Sequence, residues 1–318
     1  MILINSILWP LIRNTGLNYR APMQSRRWIK LLKPHPDYGF LIKPNLMIKK
    51  RSLGFSFSSN KLGLRGPDNT NADNVFVGTS FTMGFAVDNG ENWYDNIPDW
   101  KNYLNLGLPV GIDQLVALYN NFHCGITKKL FLMYHPNFWS VSYRSHLLRK
   151  RHESIFNQWK TGLIECILLQ RLQARKLKQQ FEKGELIKIE HGGRMYFLDP
   201  AWECFDFQKN RRFQYTFLNK LFALANEFEQ IHLIPVFPKE AYVPESYRKS
   251  IFEATIKNYK YGLELVINRL KCLRNFFIYD LGEFSLENFH YWDTHWNNSG
   301  NKLFYNKLAK LFSEFKHI

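Results

Sequence analysis

The sequence predicts an α/β protein built on a parallel sheet. Three observations carry that expectation: short unbroken apolar runs of strand length, amphipathic helical segments between them, and a polar or glycine-bearing break at the end of the leading runs. Unbroken rather than alternating apolar runs suit strands covered by helices on both faces.

Residues 1–73 read as an irregular lead-in packed on the core. Pro34, Pro36 and Pro44 interrupt any helix there, and Asn60-Lys61-Leu62-Gly63-Leu64-Arg65-Gly66 predicts a tight turn feeding the first strand. Strands are expected at Asn74–Gly78, Asn102–Leu106, Lys129–Tyr134, Gln230–Val236 and Phe276–Leu281. Ile112–Phe122 predicts a helix with Ile112, Leu115, Val116, Tyr119 and Phe122 on one face. A last helix over about Ser299–Phe315 has Leu303, Phe304, Leu308, Leu311 and Phe312 as its buried stripe. The connection between the third and fourth strands is too long for an ordinary crossover. Residues 140–214 therefore read as an insertion over one edge of the sheet, within a domain running from 74 to 318. Its Arg144–Ile187 stretch is helical in pattern and basic, either a solvated face or an anion-binding surface.

Composition bounds the function classes. Of 318 residues, 45% are hydrophobic and 16% aromatic, which excludes a disordered chain. The formal charge of +16 would attract anionic partners such as nucleic acid, acidic headgroups, acidic polysaccharide or phosphate-bearing substrates, or marks only a basic protein. No specific nucleic-acid motif accompanies it. Cys124, Cys166, Cys204 and Cys272 are scattered without metal-ligand spacing, so neither a metal nor another cofactor is expected. Met1–Ile12 is apolar but lacks a basic n-region and a small-residue cleavage site, so no signal peptide is expected and the chain reads as cytoplasmic. The same stretch is too short to span a bilayer; with Arg13, Arg20, Arg26, Arg27 and Lys30 behind it, it could instead lie in a membrane interface.

The chemistry sits at the ends of the runs, where open parallel sheets gather functional groups. Asn74-Val75-Phe76-Val77-Gly78 delivers Thr79 and Ser80; Asn105-Leu106 delivers Gly107; the third run delivers His135-Pro136-Asn137; Asp293-Thr294-His295-Trp296 precedes the last helix. A serine becomes a nucleophile beside a base that a carboxylate orients. Ser80, His295 and Asp293 are the residues of that set. The N–H groups of Ser80 and Gly107 and the amide of Asn137 are candidate oxyanion donors. His290 is a rival base, Asp88 reads as a turn or cap residue, and Trp296 reads as packing.

In their order, these four segments resemble the blocks of the SGNH (GDSL-type) hydrolases. Gly78-Thr79-Ser80-Phe81-Thr82-Met83-Gly84 is similar to the first block, Asn105-Leu106-Gly107 to the second, Asn137 to the third block's Asn, and Asp293 through Gly300 to the last. Asn60 to Gly66 resembles a lead-in of some bacterial members. The resemblance implies a three-layer flavodoxin-like sheet, a Ser80-His295-Asp293 triad, an oxyanion hole of Ser80, Gly107 and Asn137, and ester hydrolysis without a cofactor. Small acyl esters, acylated glycans and lipid esters are all substrates it allows. The chain departs from the family pattern at Thr79, where Asp is usual, at Phe138, where a second Asp is common, and in the two-residue spacing of Asp293 and His295. Gly-Thr-Ser with Asp-x-His-Trp is also similar to SGNH-like polysaccharide O-acetyltransferases of the alginate type. There the Asp and His precede the Ser; here they follow it, which favours hydrolysis. A non-catalytic binding protein on the same fold is the third reading, with Thr79 and Phe138 as its signs.

Overall fold

A computed structural model of the chain describes residues 31–35, 37, 39–49, 55–96, 102–108, 110–123, 128–150, 187–198, 205–247, 250–282, 284–290 and 295–315. Met1–Ile12, the basic residues up to Lys30, most of the Arg144–Ile187 stretch, and Asp293 lie outside them.

Five strands form the central sheet: β1 (Asn74–Gly78), β2 (Tyr103–Asn105), β3 (Lys129–Tyr134), β4 (Gln230–Pro235) and β5 (Phe276–Ile278). Their spatial order is β2-β1-β3-β4-β5, with every neighbouring pair parallel. That is the order of flavodoxin-like sheets, in which the direction of winding reverses between the first and third strands. The register pairs Gly78 with Met133, so β1 and β3 end side by side at that reversal.

Alternate residues of each strand point to opposite faces, and the burial follows that period of two. Val75, Val77, Leu130, Leu132, Ile231 and Leu233 enter one apolar cluster; Phe76, Phe131, Met133 and Ile234 enter the other. The helices divide accordingly. After α1 (Ser80–Met83), α2 (Ile112–Phe122), α3 (Asn137–Lys150), α4 (Arg211–Ala225) and α5 (Ser250–Leu270) contribute Leu115, Trp139, Phe217 and Val266 to the first cluster. The last helix, α6 (Asn298–Phe315), contributes Phe304 and Leu308 to the second. Helices thus cover both faces, which is why the strands are apolar on both sides. Packing rather than capping holds several of these helices: Thr79, Gly111 and Asn210 make no side-chain cap bond. The first N–H of α2 is instead taken by Ser142 Oγ of α3, at 3.0 Å.

β1, β3 and α2 fall where the sequence places them. The other strands are shorter than expected. The fifth ends at Ile278 because Asp280 and Gly282 make a turn, with the Gly282 N–H donated to Asp280 Oδ1 (2.8 Å) at a φ of +61°. The lead-in is less irregular than its prolines suggest. It carries two short antiparallel pairs, Leu32–His35 with Gly39–Ile42 and Met47–Ile48 with Phe57–Ser58. Its Asn60 turn is tied by Asn60 Oδ1 accepting the N–H groups of Leu62 and Leu64. In the insertion, Ile187–His191 and Arg194–Leu198 form an antiparallel hairpin where helix was expected to end. Gly192 and Gly193, at φ +58° and +69°, supply the paired positive angles that a two-residue hairpin turn needs. α4 already begins at Arg211, inside the range read as insertion, and acts as the crossover into β4.

Candidate active site

Gly78 ends β1 in a place that only glycine fits. A Cβ there would lie 2.7 Å from the Met133 carbonyl oxygen of β3, so its absence lets the chain turn directly into α1. Thr79 is extended (φ −96°, ψ −154°), and Ser80 is the first helical residue. Its N–H lies where no intrahelical acceptor exists. Gly84, at φ +70°, closes the single turn. The loop that follows is clamped from the lead-in: buried Arg65 donates from Nη2 to the Val87 carbonyl (2.7 Å) and from Nη1 to the Gly84 carbonyl. The Asn60–Gly66 turn therefore supports the loop that follows α1, beyond leading into β1.

Ser80 Oγ and His295 Nε2 lie 2.5 Å apart, 215 positions distant in the chain. The hydroxyl donates to the ring when Nε2 is the unprotonated nitrogen, the tautomer of a general base. His295 is fixed by its neighbours. Trp296 bridges Phe289 in antiparallel fashion, and the His290 N–H donates to the His295 carbonyl at 2.9 Å. Phe81 and Phe85 wall the imidazole, each with its ring centre 4.9 Å away. Trp296 packs, as expected, against Phe81, Phe284 and Phe304.

The rival base is turned elsewhere. His290 Nε2 lies 3.2 Å from the Ala86 carbonyl, an acceptor, so that nitrogen carries the proton and points into the loop. Asp88 accepts the N–H and hydroxyl of Ser56, a loop clamp.

Asn137 opens α3 at the end of β3, and its side-chain oxygen is buried without a hydrogen-bond partner among the described residues. That oxygen is an acceptor; the donor an oxyanion needs is the other end of the amide, Nδ2. Gly107 differs from expectation. Its N–H is donated to Asn105 Oδ1 at 2.9 Å, while Asn105 Nδ2 donates to the Thr82 carbonyl of α1 (2.9 Å). A Cβ on Gly107 would meet Thr82 C and Cβ at 2.7 Å each. Glycine here admits the backbone of α1, where the sequence suggested the approach of a substrate. Thr79 is 1% exposed, and its hydroxyl has no partner among the described residues.

Sequence reasoning assigned nothing to His135, yet its ring stacks on Phe81 at 4.4 Å, on the side of the dyad. Burial pushes its pKa down to about 3, with the Asn137 side chain opposing the shift and His295 adding to it. A ring pushed that low is a far weaker base than an ordinary imidazole, poorly matched to taking the Ser80 proton near pH 7. A lone histidine after a strand carries no signal in a single sequence, so only its position at the β3 end could have pointed to it. His232, between Phe131 and Phe277, is likewise pushed down to about 4 by burial. The unfolded chain binds protons at both positions near pH 6.5, the folded chain only near 3 to 4. Stability is therefore expected to fall as pH drops below 6.5, already between 6.5 and 5, above the range of ordinary carboxylates. Denaturant midpoints across that interval check it: His135→Gln should flatten the decline, and an unchanged slope would remove His135 as a contributor.

The described residues also border an open cleft of about 660 Å³. Phe55 and Ala86 line its floor, and its wall continues into the segment that follows His295. Among the described residues, no group of His, Cys, Asp or Glu could hold a metal ion, and no helix is long and apolar enough to cross a membrane. The chain matches no protein-family model and no curated protein.

Proposed function

We propose that the chain is a serine ester hydrolase of the SGNH type. The observation that carries the reading is the 2.5 Å approach of Ser80 Oγ to His295 Nε2 at the sheet's reversal point. In the proposed mechanism Ser80 attacks the acyl carbonyl while His295 takes its proton. The negative charge on the carbonyl oxygen falls to the Ser80 N–H and the Asn137 amide, and Gly107 joins them only by exchanging Asn105 for the oxyanion. His295 then passes the proton to the departing alcohol, and water resolves the acyl-enzyme. Asp293 is the carboxylate to which the proposal gives the orienting role.

A fluorophosphonate probe at pH 8 should label Ser80 in the unmodified chain and fail to label Ser80→Ala. Folded protein that stays unlabelled would remove the nucleophile and leave a binding role on the same fold.

One observation favours acyl transfer as a second reading. Ser80 is only 6% exposed and His295 sits between Phe81 and Phe85, which limits the access of water to the acyl-enzyme. Faster acyl release on addition of a sugar acceptor would select transfer; release independent of acceptor would select hydrolysis.

A further inference from the structure

β5 is the outer strand of the sheet, on the far side of β3 and β4 from the Ser80 turn. On its inner side the Ile231 N–H donates to the Asn275 carbonyl and the Tyr279 N–H to the Leu233 carbonyl, at 3.0 Å each. Backbone groups of alternate residues face opposite edges of a strand. Phe276 and Ile278 therefore turn their N–H and C=O groups outward, where no described residue bonds them. Shortness blunts an edge of this kind, but β5 holds neither the charge nor the proline that usually helps. Its Phe277 and Ile278 lie 38% and 48% exposed.

A ladder of rings leads to that edge. Phe76 of β1, Phe131 of β3, His232 of β4 and Phe277 of β5 are paired in register from strand to strand. Their ring centres follow one another at 4.6, 4.7 and 5.2 Å, with successive planes within 16° of parallel. Cross-strand aromatic pairs of this kind stabilise a sheet. The ladder stops at Phe277 because the sheet stops there, and the next rung belongs to whatever strand pairs with β5.

The sequence around this edge is complementary to itself. Turned end for end about Phe277, β5 sets Phe276 against Ile278 of a second copy, so that the outward-facing residues exchange both N–H···O=C bonds. Phe277 then meets Phe277 on the two-fold axis, at the kind of position where facing side chains come closest. Arg274 and Asp280, both exposed, flank Phe277 at equal spacing on either side. The same two-fold directs each Arg274 toward the other copy's Asp280. The chain's charge of +16 opposes self-association, but at about 0.15 M salt charges beyond roughly 8 Å are largely screened, which leaves neighbouring groups to set the register. We propose that β5 is a self-association edge, at which a second copy of this chain adds antiparallel about Phe277 and joins the two sheets into one. Such an isologous contact between short strands is small, so the dimer is weak, with a Kd of roughly 10–100 µM. It holds whether or not Ser80 is a nucleophile.

Sedimentation velocity of the unmodified chain from about 1 to 300 µM, at about 0.15 M salt, should show a monomer passing into a dimer. Ile278→Pro removes an outward N–H and no bond to β4, and should weaken association at least about tenfold. Arg274→Asp sets like charges against each other across the two-fold, as does Asp280→Lys, and each should weaken the dimer at least about fivefold. Mixed in equal amounts, these two variants should associate as the unmodified chain does, because every contact across the two-fold then joins opposite charges. Neither variant folds better for the presence of the other, so restored association reports the interface alone. A monomer over the whole range, a dimer indifferent to Ile278→Pro, or a mixture that associates no better than its components would each overturn the proposal.

Discussion

Replacement of His295 by alanine is expected to lower the turnover of a small acetate ester by at least about 10⁴-fold, with KM little changed. The expectation follows from geometry. His295 Nε2 is the ring nitrogen within 2.5 Å of the Ser80 hydroxyl, His290 Nε2 is committed to the Ala86 carbonyl, and His135 is held neutral with its pKa near 3. No other imidazole of the described residues is placed to take over the proton. His295→Gln controls for the hole that alanine would leave between Phe81 and Phe85, since it restores volume without a useful base. The stronger check is the double variant. Residues that act as one unit lose their effect once, so Ser80→Ala with His295→Ala should be no slower than either alone. Additive losses, or a His295→Ala loss smaller than tenfold, would mean that the short contact has no catalytic role.

Which parts of this molecule are legible in the sequence depends on how local their causes are. β1 and β3 are readable to the residue because burial on both faces demands unbroken apolar runs, Val75 to Val77 and Leu130 to Tyr134, and such runs need no knowledge of partners. Ser80 and His295, which the structure brings together, stand out in the sequence for a related reason: each lies at a break next to a readable element. The hairpin Ile187–Leu198 was hidden by the basic helical pattern before it, although its Ile187-Lys188-Ile189-Glu190-His191 alternation and Gly192-Gly193 turn are local signals of a hairpin. Arg65 could not be placed from sequence at all. Its partners are the carbonyls of Gly84 and Val87, and a carbonyl has no residue identity to read. His135 is illegible in the same way, since its depressed pKa comes from burial beneath Phe81 and beside Asn137.

Gly107 shows how a correctly noticed glycine can be given the wrong neighbour, and Gly107→Ala is the substitution that separates the two explanations. Alanine keeps the N–H, so an oxyanion donor would survive the change in chemical terms. It adds a Cβ that would lie 2.7 Å from both Thr82 C and Thr82 Cβ, and these are not the yielding end of a long side chain. Thr82 is in the one turn of α1 that carries Ser80, and Asn105 already ties the Gly107 loop to that turn through the Thr82 carbonyl. Relief of the clash must move α1 away from β2, and Ser80 moves with it relative to a histidine anchored on the other side by Phe289 and His290. Overpacking of this kind costs about 1–3 kcal/mol. In a chain of 318 residues, with an unfolding entropy of about 2.1 cal/mol/K per residue, each kcal/mol lowers Tm by roughly 1.5 °C. A displacement of about 1 Å at a reacting group is worth on the order of 10² in rate. The expected result is therefore a joint loss, a lower Tm together with at least about 10²-fold lower turnover, while Asn105 remains in place. Lost turnover at an unchanged Tm would transfer the clash from α1 to the bound substrate. Retention of both would mean that the β2 loop yields without moving Ser80, and that Gly107 is not what holds Ser80 against His295.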